Sequence, residues 1–267
     1  MKKRFISLIS LFFIIILACC LNDNTIPEKN REVIYQFSTI ESLLEGVYDG
    51  NLTFGELKNH GDYGLGTIDS LDGEMIQVEG NFYQIKVDGI AYPVFDDQKT
   101  PFAVVSFFDL DKSFVAEGEL DYKELTELID SNIPTKNIYY IIKVHGNFEY
   151  VKTRSVPSQS KPYPPLSKAV ENQRIFELNN VNGTLIGFRI PENIGEINVP
   201  GYHFHFITDD KKTGGHVLDL LIKNQIVEID YTSDLFLDSP DNLDFLMYDS
   251  GKDRSEELET VEKAKYK

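Results

Sequence analysis

The sequence predicts an α+β protein with two β-rich lobes, mostly antiparallel or mixed sheets, peripheral helices and a metal site between the lobes. Three observations carry this expectation. From Gly64 to Val94 apolar and polar residues alternate, and the segments are divided by Asp72-Gly73, Glu79-Gly80 and Asp88-Gly89, steps that favour tight hairpins. Residues 102–108 and 138–144 are almost wholly apolar, as strands buried on both faces are. Finally, His203 and His205 alternate along an apolar segment and His216 returns after a Gly-Gly step, so three of the five histidines fall close together.

Each element has its own reason. Ser38 or Thr39 can cap a short helix in which Ile40, Leu43 and Leu44 recur at helical spacing, and residues 53–57 suggest another. The meander runs through strands near 66–69, 74–78, 82–87 and 91–94, followed by the buried strand 102–108. Residues 121–129 fit a helix with Tyr122, Leu125, Leu128 and Ile129 on one side. The strand at 138–144 continues past His145-Gly146 into 148–154. SQSKPYPP, residues 158–165, is the linker candidate, and it separates an N-terminal lobe (33–160) from a C-terminal one (161–267). Residues 166–170 add a helical turn. Strands at 175–178 and 184–190 flank Asn182-Gly183 as a second hairpin. The histidine strand follows, then strands at 217–222 and 225–231. The tail from Asp249 is charged and helix-prone.

Composition narrows the function. The net charge of −17 argues against a nucleic-acid partner and against adhesion to anionic lipid through basic patches. Lys2, Lys3 and Arg4 precede an apolar stretch that ends in Ala18-Cys19-Cys20. This reads as a lipoprotein-type export signal over 1–19 with Cys19 as the lipidated residue, followed by a polar tether over 20–32. An ordinary cleaved signal and secretion are the alternative. Processing after Ala18 leaves 23 basic against 43 acidic residues, with no cysteine beyond the terminal Cys19-Cys20 pair. The expected location is the outer face of a bacterial membrane, touched only through the lipid anchor.

The histidines supply the chemistry. Side chains alternate faces along a strand, so His203 and His205 point one way while Tyr202, Phe204 and Phe206 point the other. A third imidazole brought back by a turn completes a three-nitrogen set that leaves coordination positions open, as a catalytic zinc requires. Core histidines are the plain alternative, and it fits a lone His better than this spacing. His60 and His145 have no companion at metal spacing and read as structural or surface residues.

These segments carry a resemblance. GYHFHFIT (201–208) with GGHVLD (214–219), IYQFST (34–39) with LLEGVYDG (43–50), and LGT (65–67) with LDGEM (71–75) resemble the blocks of bacterial α-acetolactate decarboxylases, in order from about Val33 to the C-terminus. The resemblance implies a zinc enzyme converting (S)-2-acetolactate to (R)-acetoin and carbon dioxide, in acetoin biosynthesis, and working as a homodimer. It implies that His203, His205 and His216 are metal ligands and that Glu74 and Glu262 join them at the metal. It also implies that Arg154 lies beside the substrate and that Thr67 lines the pocket. The lipobox-like leader is not part of it.

That chemistry suits the residue types. Loss of carbon dioxide from a 2-hydroxy-3-keto acid leaves an enediolate, whose charge a divalent ion can hold as a Lewis acid. An arginine fork can grip a carboxylate, and a protonated glutamate can deliver a proton to one face. Which residue delivers it stays open at this level, as does competition from copper for the same nitrogens. Two alternatives stand beside the decarboxylase. A cupin-like metalloprotein shares H-x-H but usually places a carboxylate a few residues after the second histidine in a Gly-rich motif. A non-catalytic, exported metal-binding lipoprotein would explain the leader, but retention of Glu74, Arg154 and Glu262 beside all three histidines speaks against it.

Overall fold

The computed structural model describes residues 31–262. The export signal, Cys19 and most of the tether lie outside the described residues. Strand β1 (Val33–Phe37) leads into helix α1 (Ile40–Leu44), where Thr39 accepts the Ser42 N–H at 3.2 Å. The short strand β2 (Leu52–Thr53) leads into α2 (Phe54–Leu57), opened by a capping box between Thr53 and Glu56. The meander follows as β3 (Tyr63–Thr67), β4 (Glu74–Val78), β5 (Asn81–Ile85) and β6 (Ala91–Pro93), all antiparallel neighbours. Strand β7 (Lys99–Thr100) pairs with β2, and β8 (Ala103–Ser106) lies between β1 and β3.

The chain then changes sheet. Strand β9 (Lys112–Asp121) opens the second sheet and runs directly into α3 (Tyr122–Asn132), whose cap is a reciprocal box between Asp121 and Glu124. Strand β10 (Tyr139–Ser155), the turn α4 (Leu166–Ala169), β11 (Arg174–Ile190), β12 (Gly201–Thr208) and β13 (Gly214–Thr232) complete it. β10 pairs with both β11 and β13, and β12 joins β11 to β13, so these four antiparallel strands close into a ring. Strand β14 (Asp234–Asp238) returns to the first sheet and pairs in parallel with β1, before α5 (Leu243–Met247) and α6 (Ser255–Glu262).

Several expectations change here. The change of sheet falls at residues 107–111 and again after Thr232, not in the Pro-rich segment 158–165, so the lobes interleave in sequence within one compact unit. β11 runs straight through Asn182-Gly183 with no turn. Those residues lie opposite Asn147 and Gly146 of β10, and long-range pairing overrides their local turn preference. Likewise 217–222 and 225–231 are one strand, with a register shift between Lys223 and Gln225 where Asn224 has φ of 51°.

The core lies where the sheets face each other. Ile34, Leu65 and Val104 of the first sheet share a cluster with Ile141, Phe188 and Ile190 of the second, and Ile76 and Ile85 pack with Ile186 and Ile207. His203 and His205 have the parity of Ile207, so the histidine face of β12 is turned toward the first sheet. Phe204 and Phe206, of opposite parity, pack with Leu125 and Ile129 of α3.

Candidate metal centre

Strand register aligns the site. His205 stands directly opposite His216, and His216 directly opposite Arg154, so β12, β13 and β10 present three side chains in one cross-strand row. His203 lies two residues along β12 on the same face. From the other sheet, Thr67 and Glu74 are likewise a directly opposed pair, on β3 and β4. Glu262 arrives from the last residue of α6. All six positions named by sequence, together with Thr67, are brought around one point. His60 and His145 are not: His60 stacks on Tyr35 at 3.8 Å and His145 faces Asp209 at 3.1 Å.

Two glycines let the backbone approach. Gly73 has φ of 87°, and a Cβ there would lie 2.3 Å from the Ile85 carbonyl oxygen. Gly215 has φ of 132° and sits against the Arg154 carbonyl, where a Cβ would come within 2.4 Å. Each directly precedes a site residue, Glu74 or His216, and neither conformation suits a residue with a Cβ.

The ligand atoms converge. One nitrogen from each histidine lies within 4.8 Å of the others, and all three residues are buried. His205 Nε2 is 3.6 Å from Glu74 Oε2, while His203 Nε2 and His216 Nε2 are 3.7 and 3.8 Å from Glu262 Oε2. These separations are too long for hydrogen bonds. They resemble the spacing of atoms that share one small cation, since two ligands of a tetrahedral ion stand roughly 3.4 Å apart. His205 Nε2, His203 Nδ1 and Glu262 Oε2 are buried without a hydrogen-bond partner among the described residues. Leaving such atoms unmatched is costly, and a cation between them would satisfy the Nε2 and Oε2 members of the set.

Protonation agrees. Burial holds His203 down to about 3, helped by the positive Arg154, and drives His205 and His216 well below the ordinary imidazole range. Neutral imidazoles offer lone pairs. His205 Nδ1 donates to the Met75 carbonyl at 2.7 Å, which fixes the tautomer and leaves Nε2 free to ligate. Burial pushes Glu74 up to about 7, opposed by Arg154 and reinforced by Glu262, and burial raises Glu262 as well.

Arg154 links the parts. Its Nη1 donates to the Val261 carbonyl at 2.6 Å and to Gln173 Oε1 at 3.3 Å. Its Nε lies 3.9 Å from Glu74 and makes no hydrogen bond among the described residues, and Nη2 lies 3.9 Å from Glu262. One nitrogen thus fixes the guanidinium while the Nε edge keeps donor capacity for a ligand. Thr67 donates to the Gly73 carbonyl at 2.6 Å, bracing the turn that delivers Glu74. Gln173 and the carbonyls of Met75 and Val261 were not foreseeable, because backbone groups carry no residue signature and Gln173 sits in an unpatterned stretch.

Space is available on both sides. A niche of about 40 Å³ touches Thr67, Glu74, Arg154 and the three histidines. A larger cavity of about 1110 Å³ runs from His203, His216 and Glu262 past Ile40 and Val199 to exposed Lys123 and Glu192.

A family model described as Alpha-acetolactate decarboxylase matches residues 34–250, which include the three histidines, Glu74 and Arg154. The chain belongs to the alpha-acetolactate decarboxylase family. It is 49% identical to the alpha-acetolactate decarboxylase of Methanosarcina mazei over 90% of this chain and 85% of that protein. It is 45% identical to that of Methylococcus capsulatus, over 86% and 88%. The crystal structure of the alpha-acetolactate decarboxylase of Bacillus subtilis strain 168 superposes with a TM-score of 0.84 at 38% identity, over 86% of this chain and 99% of that one. This family of enzymes is the one that the motif blocks resemble. Family membership and a buried three-histidine group therefore meet in the same chain.

Proposed function

We propose that this chain decarboxylates (S)-2-acetolactate to (R)-acetoin with a zinc ion held by His203, His205 and His216, and with Glu74 and Glu262 as the adjoining carboxyl groups. The observation that carries the reading is the convergence of these five side chains with Arg154 in a chain of this family. Zinc suits a set of neutral nitrogens and carboxylate oxygens, and when bound it supplies Lewis-acid charge where an enediolate forms.

The protein's own groups do the rest. Arg154, held by Val261 and Gln173, presents its Nε edge to the carboxylate of the substrate, a charge-assisted contact that orients the bond to be broken. Glu74 stands beside His205 and Arg154 on the strand facing the histidines, so it is the carboxyl group placed to pass a proton to the carbanionic carbon from one face. Thr67 holds Glu74's turn in place. Ile40, Leu43 and Phe102 line the niche and exclude water from the reacting carbon.

The mature chain is read as an exported homodimer anchored by lipid on Cys19, a reading supported by the leader sequence and the family resemblance. Labelled palmitate incorporation that survives Cys19→Ser would remove the anchor from it. The activity test is direct: purified mature protein is incubated with racemic acetolactate, with and without chelator, and acetoin is followed. Chelator-sensitive acetoin is the expected result. A folded, zinc-loaded sample that makes none would sink the reading.

A further inference from the structure

The site takes one carboxyl group from α6, which belongs to neither sheet, so the seat of this helix against the rest of the chain places Glu262.

Its docking contacts lie along one stripe. Positions 254, 258, 261 and 262 follow i, i+4, i+7, i+8 spacing, one face of a helix. Leu258 and Val261 are buried in the cluster that contains Ile40, Leu44, Leu166 and Ala169. At the N-terminal end, Arg254 makes an ion pair with Glu45, just beyond α1, and Nη1 reaches Glu257 at 2.8 Å. Lys252 adds a contact to Glu45 at 3.4 Å. One turn earlier, Glu41 accepts the Gly251 N–H at 2.8 Å and the Tyr248 hydroxyl at 3.4 Å. Glu41 is itself only 6% exposed. At the other end, the Val261 carbonyl takes the Arg154 hydrogen bond and Glu262 faces His203 and His216. The same helix face therefore carries a charged pin, an apolar seat and the site carboxyl.

We propose that Glu45 and Arg254 are positioning residues, whose ion pair seats α6 so that Glu262 and the Val261 carbonyl reach the metal centre. This rests on the reading of Glu262 as a site group. The apolar seat is two side chains, Leu258 and Val261, set against the ordering entropy of a whole segment. The pin is partly buried, with Arg254 at 16% and Glu45 at 21% side-chain exposure, so it is stronger than a fully solvated pair. Because α1 also lines the large cavity through Ile40, Glu41 and Leu44, opening the pin would loosen the cavity wall and the site carboxyl together.

The test uses the full mature chain in zinc-loaded and chelator-stripped forms. Hydrogen exchange is read at the amides of 258–262, and zinc retention is read by competition with a chromophoric chelator. Arg254→Ala should speed exchange in α6 and release of zinc at least tenfold each, while exchange in β10–β13 stays as in the unmodified chain. Glu45→Gln, which removes the charge at nearly constant shape, should reproduce both effects if Arg254→Ala proves insoluble. Arg254→Lys should recover most of the zinc retention, because it restores the charge opposite Glu45. Unchanged exchange at 258–262 in either neutralising variant overturns the proposal. Faster exchange with unaltered zinc retention overturns it as well, since the pin would then be structural only. Neither readout depends on turnover, so a failure of the decarboxylase assignment would be seen separately in the acetoin assay.

Discussion

Asp230 offers a test of the fold that leaves the site untouched. It lies on β13 opposite Ile141, on the side facing the first sheet, and is 1% exposed. Its Oδ2 accepts the Asp109 N–H at 2.8 Å, which ties down the segment where the chain passes between sheets. Burial pushes its carboxyl from 3.8 up to about 7, the Asp109 N–H opposes this, and Glu32, Asp111 and Asp109 add repulsion. From about pH 4 to about pH 7 the unfolded carboxyl has lost its proton while the folded one keeps it, so stability falls as pH rises through that window. A gap of about 3 pH units at 1.36 kcal/mol each gives at most ~4 kcal/mol, and solvent screening around the carboxyl reduces this to about 2 kcal/mol. Asp230→Asn keeps an acceptor for Asp109 and removes the charge. It should raise the melting temperature by about 5 °C at pH 8 and by about half as much at pH 5.5. Calorimetry or circular dichroism at the two pH values reads this. A difference between variant and parent that does not change with pH would refute the reasoning.

Three substitutions bear on the site. His205→Ala should abolish stoichiometric zinc by elemental analysis, because it removes a nitrogen held in place by the Met75 carbonyl. Arg154→Lys should retain zinc yet lower kcat by about 10²-fold, since a point charge cannot both hold Val261 and present a second donor edge. Gly73→Ala should lower the melting temperature and cut turnover more than it cuts zinc content, because the added Cβ meets the Ile85 carbonyl and displaces Glu74.

The sequence disclosed what is local. Asp-Gly and Glu-Gly steps marked the boundaries of β4, β5 and β6, and Thr39, one of the two residues offered as a cap, does cap α1. The alternation of His203 and His205 placed both imidazoles on one face, because strand periodicity is a property of the backbone. What it hid was non-local. β9 and β14 owe their conformation to pairing with β13 and β1, a hundred or more residues away in each case. Asn182-Gly183 looks like a turn until Gly146 is known to lie across from it. The tail illustrates the same limit: SEELETVE has the composition of a solvated helix, and only the docking of Leu258 and Val261 makes it part of the site.

The division of labour among these parts explains why Arg154 occupies its position. The histidines are placed relative to one another by register within a single sheet, and hydrogen-bonded ladders hold register rigidly. Glu74 belongs to the facing sheet and Glu262 to a docked helix, so neither shares a strand ladder with the histidines. Arg154 shares the histidine sheet through its pairing with His216, and its side chain spans to both carboxyl groups and to the Val261 carbonyl. Its hydrogen bond goes to the Val261 carbonyl, the residue before Glu262, while both carboxyl groups stand 3.9 Å away and are held by charge rather than by directed donors. The Met75 carbonyl works in the opposite sense, carrying the position of β4 back to the His205 ring. With each sheet contacting a group that belongs to the other, the spacing between Glu74 and His205 is set from both sides.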